Sequence, residues 1–234
     1  MVRICGIAGV SLIDYPGRIA SVLFLGGCNF RCPFCHNPEL VLRADSLPEF
    51  DLDDTLRAIE KKRGLLDGVV VTGGEPLIHG EALVALLRSL RGVGLAVKLD
   101  TNGYELETLR EVMGAGLVDY VAMDVKTSLE KYESAAGRDL DVGRIRDAIA
   151  TITGSGVDHE FRTTCVPGLV ELTDVQSISS LLGNSERYVL QQFRVASDLV
   201  DHSCADVEPY PAQTLTSWAD AIRPLVGSVA LRGV

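Results

Sequence analysis

Three cysteines fall within the stretch Cys28-Asn29-Phe30-Arg31-Cys32-Pro33-Phe34-Cys35-His36. The spacing C-x3-C-x2-C follows an apolar run, Ile19 to Leu25, and the glycine pair Gly26-Gly27, so the sulfurs sit in a loop at the end of a strand. Thiols this close in sequence bind a metal centre. Three thiolates saturate neither a tetrahedral zinc nor a cube of four irons. Either a fourth protein ligand completes the site or one metal position stays open for a substrate. With His36 as the fourth ligand the loop reads as a structural Cys3His zinc site, the non-enzymatic alternative.

Other reactive residue types fall just after apolar runs. Thr72-Gly73-Gly74-Glu75-Pro76, Asp100-Thr101-Asn102-Gly103, Asp124-Val125-Lys126, Val166-Pro167-Gly168 and Gln191-Gln192-Phe193-Arg194 each follow one. Singly they are tight turns, helix starts or surface ion pairs. Their recurrence at one edge points to a site, because parallel α/β folds keep their working residues beyond the carboxyl ends of the strands. Two glycines let backbone approach a ligand closely, and Glu75 can receive an ammonium group. Arg162 interrupts an apolar strand and is expected to point inward towards a carboxylate. Asp100 and Asp124 can accept ribose hydroxyls or hold a cation. An amino group, a carboxylate and a ribose together describe an aminoacyl nucleoside.

The elements that must carry these residues alternate regularly. Residues 3–10 and 19–25 read as strands around a Pro-Gly turn, and a helix spans 53–63. Strands are expected at 68–71, 95–99, 117–123, 159–166 and 188–193, with helices at 80–91, 105–113, 142–153 and 174–182 between them. A last helix, 212–225, and a short strand, 228–231, close the chain. Six strands separated mostly by single helices predict parallel βαβ units, in either a doubly wound sheet or a partial barrel. The 234 residues read as one domain, with a core over 19–193 and a terminal helix and strand within 211–232.

A net charge of -10 argues against nucleic acid or an anionic membrane as partner. No signal peptide or membrane span is expected, which predicts a cytoplasmic protein with reduced thiols. Cys5 and Cys165 read as small core residues, and Cys204, in a polar loop, has no assigned role. His79, His159 and His202 read as structural or solvated, and the acids from Asp198 to Glu208 as a solvated loop.

The cysteine loop with Phe34 before its third cysteine, Gly73-Gly74-Glu75-Pro76 and Asp124-x-Lys126, in that order, resembles the radical S-adenosylmethionine enzymes. Within them the stretches 11–17, 28–40, 65–76, 98–103, 120–126, 161–168 and 188–193 resemble the activating proteins of anaerobic ribonucleoside-triphosphate reductases, which are glycyl-radical enzyme activases. The resemblance implies an α/β fold, a (β/α)6 partial TIM barrel with a short N-terminal hairpin strand. It implies a 4Fe-4S cluster on Cys28, Cys32 and Cys35, its fourth iron chelated by S-adenosylmethionine. Phe34 and His36 match positions near the adenine, and Gly73, Gly74 and Glu75 match the binder of the methionyl ammonium. Asp100, Thr101 and Asn102 belong to the same cofactor-binding set. Asp124 and Lys126 match a sugar and carboxylate contact, and Arg162 an arginine near the carboxylate. Asp100, Thr101 and Asp124 match positions that can hold a monovalent cation. Arg194 stands where some relatives carry a histidine. The implied partners are a glycyl-radical enzyme, in the first place anaerobic ribonucleoside-triphosphate reductase, and flavodoxin or ferredoxin as electron donor. The enzymatic alternative is a small-molecule enzyme similar to 7-carboxy-7-deazaguanine synthase, which needs a lid; only residues 194–211 could supply one.

Overall fold

Apolar and β-branched runs form strands at every expected place. The computed structural model describes residues 2–183, 185 and 187–234. Strands β1 (Ile4–Ser11) and β2 (Ala20–Leu25) pair antiparallel, with Ile4 opposite Leu25. The cysteine loop then leads into a short helix, α1 (Pro38–Leu42), and α2 (Leu52–Glu60), where Asp51 caps the N-terminus by accepting from Asp54 N at 2.9 Å. Alternation continues through β3 (Gly68–Gly73), α3 (Glu81–Val93), β4 (Ala96–Thr101), α4 (Leu106–Gly114) and β5 (Tyr120–Asp124). After β5 come the short α5 (Tyr132–Ala136), α6 (Val142–Thr153), β6 (Asp158–Cys165), α7 (Leu172–Leu182) and β7 (Tyr188–Gln192). Helix α8 (Ala212–Ile222) and β8 (Val229–Arg232) end the fold.

The strands lie in one sheet in chain order, β1 to β8, and every pair from β2–β3 to β7–β8 is parallel. A doubly wound sheet reverses its order at a switch point, so the sequential order decides for the partial barrel. The last strand adds a further parallel member beyond the six expected barrel strands. Strand β5 starts later than the expected 117, because Leu117 N still bonds Val112 O at the end of α4. Helices α1 and α5 are too short for a periodic signal.

Strand alternation divides the side chains into two sets. Leu23, Val71, Leu99, Val121, Phe161 and Leu190 face the helices and join the large core. Residues of the other parity face the concave side. There Ala20, Val22 and Val70 form a small apolar cluster with Tyr15, from the β1–β2 loop, while β4 to β8 contribute Lys98, Asp100, Asp124, Glu160, Arg162 and Arg232. Tyr15 closes the amino end of the barrel, its ring 5.8 Å from that of Tyr120 and its Cδ1 close against Gly68. Tyr15→Ala is expected to lower stability by about 3 kcal/mol through the cavity it leaves, measured by urea unfolding.

Candidate active site

The carboxyl ends of the strands surround a cavity of about 700 Å³, a volume suited to a nucleoside-sized ligand. The predicted metal and cofactor residues all line it: Cys28, Cys32, Cys35, Phe34 and His36 from the loop after β2, Gly73, Gly74 and Glu75 at the end of β3, Asp100, Thr101 and Asn102 at the end of β4, Asp124 and Lys126 at the end of β5, and Arg162 within β6. The exit 166–168 does not reach the cavity. Val166 is buried in the core, and β6 contributes Arg162 and Thr164 instead.

The three thiols are unpaired, Cys32 buried and its two companions partly so. They do not gather as the ligands of one small ion; among the described residues no three His, Cys, Asp or Glu side chains do. Backbone amides already point at two sulfurs, Phe30 N at 3.3 Å from Cys28 Sγ and Asn37 N at 3.5 Å from Cys35 Sγ. Such N–H groups stabilise metal-bound thiolates, so the donor set fits an iron–sulfur cluster. Burial pushes the Cys28 thiol up to about 12 and Cys32 up to about 11, so a metal bound here would have to displace their protons. Phe34 is buried at the cavity wall. His36 is exposed at the rim, 6.2 Å between its ring and that of Phe193; desolvation and then the Arg194 charge lower its pKa.

The glycine pair has a structural cause besides the one expected. A Cβ on Gly73 would stand 2.3 Å from the backbone of Leu25, and one on Gly74 1.9 Å from Gly27 O. The close neighbour is the chain's own β2 exit, which hydrogen-bonds here through Gly74 N to Leu25 O and Glu75 N to Gly27 O, both 2.8 Å. Glu75 itself is buried, 1% exposed. Its Oε1 accepts from Thr101 Oγ1 at 2.7 Å and Leu77 N at 3.0 Å, and its Oε2 from Asn102 N at 2.6 Å. Asn102 in turn donates to Asn29 Oδ1 in the cysteine loop at 2.8 Å. Burial raises the Glu75 carboxyl to about 7 against the pull of its donors.

Arg162 does point inward, and the carboxylates it meets are the protein's own. Its Nε donates to Asp124 Oδ1 at 2.7 Å and its Nη1 to Asp100 Oδ2 at 3.3 Å, while Nη2 makes no hydrogen bond among the described residues. Lys126 Nζ holds the other oxygen of Asp124 at 3.1 Å. Burial opposes ionisation of Asp124, but Arg162 and then Lys126 hold its carboxyl well below the usual range. This pairing is part of the cavity floor, unlike the weak surface pair that a lone Asp-x-Lys suggests.

Sequence reasoning missed the second tier of this network. Lys98, buried within β4, bonds Asp100, and Glu160, fully buried in β6, meets Arg232 Nη2 at 3.2 Å. Lys98 interrupts an apolar strand just as Arg162 does, and that signal was available. Arg232 was not, because only the sheet brings β8 beside β7. Arg194 lies exposed at the cavity rim. His79 Nε2 sits 3.0 Å from Gly26 O and supports the loop, and Cys204 is a core residue.

The sequence profile of the Radical SAM superfamily matches residues 22–176. A Methanocaldococcus jannaschii protein provisionally named a glycyl-radical enzyme activating enzyme is 35% identical over 198 residues, covering 81% of this chain and 79% of that one. The pyruvate formate-lyase-activating enzyme of Clostridium pasteurianum is 28% identical over 192 residues, covering 79% and 77%. In fold, the crystal structure of Streptococcus suis SuiB is similar with a TM-score of 0.69 at 12% identity, over 89% of this chain and 47% of SuiB. The chain thus spans about half the length of that structure.

Two outcomes test this geometry in the metal-free protein. Gly74→Ala is expected to cost about 3 kcal/mol by forcing β3 off the β2 exit, read as a lowered urea midpoint. Because the folded chain holds the Glu75 proton up to about pH 7 and the unfolded chain loses it near 4.5, stability falls as pH rises through that window and is level above it. The group's share is on the order of 3 kcal/mol. Glu75→Gln should remove that slope, seen by comparing urea midpoints at pH 5 and pH 8.

Proposed function

We propose that this chain, which belongs to the radical S-adenosylmethionine superfamily and within it to the glycyl-radical enzyme activating proteins, generates a glycyl radical on a partner enzyme, anaerobic ribonucleoside-triphosphate reductase. The observation that carries the reading is the opening of three unpaired thiols, with N–H donors at two sulfurs, onto one cavity with Glu75, Asp124 and Arg162. Cys28, Cys32 and Cys35 hold a 4Fe-4S cluster. When bound, the cluster and S-adenosylmethionine supply reductive carbon–sulfur cleavage and the hydrogen-abstracting 5'-deoxyadenosyl radical.

The chain's own residues bind and orient. Glu75 would provide negative charge for the methionyl ammonium, and the unused Nη2 edge of Arg162 would be available to its carboxylate. Phe34 and His36 would contact the adenine, while Asp124 and Lys126, locked to each other, would give the ribose a fixed polar partner. Asp100, Thr101 and Asn102 complete the wall, and the two aspartates offer a monovalent cation its carboxylates. Gly73 and Gly74 act by bringing the β3 exit onto the cysteine loop. The whole of residues 1–234 acts as one catalytic domain, in the cytoplasm, with flavodoxin or ferredoxin as the reductant.

A protein substrate is favoured over a small one by the path of residues 194–211. Val200 N bonds Cys35 O at 3.3 Å, Asp201 N bonds Pro33 O at 2.9 Å, and Leu199 and Cys204 are buried. This segment therefore packs on the cysteine loop and is not spare material for a lid. A structural zinc is disfavoured because it would leave Glu75, Asp124 and Arg162, gathered in the same cavity, without a purpose.

Anaerobically reconstituted protein is expected to be brown, to bleach on reduction and to release 5'-deoxyadenosine from S-adenosylmethionine; Cys28→Ala, Cys32→Ala and Cys35→Ala should each abolish release. Adding the reductase should give a glycyl-radical signal by electron spin resonance. A colourless, zinc-loaded protein overturns the reading. Release of 5'-deoxyadenosine without a radical on the reductase overturns the choice of partner only.

A further inference from the structure

Helix α5 ends at Ala136, and the turn after it presses on the back of the cysteine loop. Arg31 N donates to Ala136 O at 2.8 Å. Gly137 has φ +68°, and a Cβ there would stand 2.1 Å from Arg31 O, so the contact requires glycine twice over. That approach delivers Arg138 to the loop. Its Nη1 donates to Asn29 O at 2.9 Å, its Nε to Asp139 O at 3.1 Å, and its guanidinium lies 5.9 Å from the centre of the Tyr104 ring. Among the described residues Arg138 makes no ion pair, and Glu133 accepts from Leu140 N and Glu105 from Asn29 Nδ2.

The carbonyl that Arg138 takes is half of a peptide group. The other half is the N–H of Phe30, 3.3 Å from Cys28 Sγ. A guanidinium, a carbonyl, an amide and a sulfur thus stand in series. A cation on the oxygen polarises the peptide and strengthens its N–H as a donor. The neighbouring carbonyls are held the same way, since Arg31 Nη1 bonds Cys28 O and Phe30 O, both at 2.7 Å. Hydrogen bonds to the sulfurs are one of the terms that set the potential of an iron–sulfur centre, because they stabilise the charge added on reduction.

We propose that Arg138 is a positioning residue for the metal centre: it fixes the Asn29–Phe30 peptide with its N–H on Cys28 Sγ and, through that bond, raises the reduction potential of the cluster. The inference rests on the reading of the three cysteines as cluster ligands. It adds a determinant from a turn 109 residues away from the loop carbonyl it holds.

Arg138→Met and Arg138→Lys in the full chain test it. Arg138 is exposed, so both variants should unfold thermally like the wild type. In metal-free protein, hydrogen exchange at the Phe30 amide is expected to be roughly tenfold faster in Arg138→Met and near wild type in Arg138→Lys. In reconstituted protein the midpoint potential should shift to more negative values in Arg138→Met and recover in Arg138→Lys. Unchanged exchange at Phe30, or an unchanged potential at full cluster content, overturns the proposal. A wild-type chain that takes up no cluster instead overturns the functional reading, and the exchange experiment still decides whether Arg138 positions the peptide.

Discussion

The mouth of this barrel depends on one buried carboxylate. Glu75 accepts from Thr101, Asn102 and Leu77 while its own amide reaches back to Gly27 O, so the exits of β2, β3 and β4 are joined at a single residue. Asn102 then passes the connection to Asn29 in the cysteine loop. Removing the carboxylate would leave three buried donors without acceptors, each a loss of about 1–3 kcal/mol. A carboxyl held up to about 7 is what results when that brace lies out of reach of water. The same group that gives the mouth its shape thus gives it a carboxyl whose charge is costly to bury, which is the setting a cationic ligand group would relieve.

The concave face of the sheet is chemically divided. On β2 and β3 it is apolar, with Val22 and Val70 in a small cluster closed by Tyr15. From β4 to β8 it is a run of alternating charge, Lys98 to Asp100 to Arg162 to Asp124 to Lys126, with Glu160 and Arg232 behind. Buried ion pairs rarely repay their desolvation, and apolar residues of similar size would serve stability as well. The network therefore makes sense as a preorganised polar wall, whose groups hold their positions before any ligand arrives. It also changes the meaning of Arg162, which is a shared clamp on two strand ends with one edge left over.

Much of this was legible from residue order, for a physical reason. Parallel sheets put chemistry at strand exits, so reading the residues after each apolar run found the cavity without coordinates. The cysteine spacing, the Gly-Gly-Glu run and the interrupted strand at Arg162 are all local patterns. The alternation also fixed every main strand and helix to within a few residues, while the choice between a doubly wound sheet and a barrel waited on strand order, which is a property of pairing. What stayed hidden is non-local. The glycine pair suggests a ligand as readily as it does a neighbouring backbone, and only the fold shows Gly27 O in the way. Arg232 and the segment around Val200 reach the site through β7–β8 pairing and loop packing, which no window along the chain reveals.

The cysteine loop has two sides with unlike duties. Its front opens on the cavity, and its back is tied at Asn29 to Asn102 and Arg138, at Arg31 to Ala136, at Pro33 and Cys35 to residues 200 and 201, and at Gly27 to Leu40. These ties come from regions far apart in sequence, so the loop's shape depends on contacts that the folded half-barrel supplies. In small zinc modules the metal supplies the folding energy. Here the large core and the sheet supply it, and burial raises the Cys28 and Cys32 thiols in a loop already tied in place. Metal uptake would then release the Cys28 and Cys32 protons within a loop whose backbone ties are already made. A centre assembled in that order inherits its surroundings from the protein, which is the condition under which a residue as remote as Arg138 can act on it.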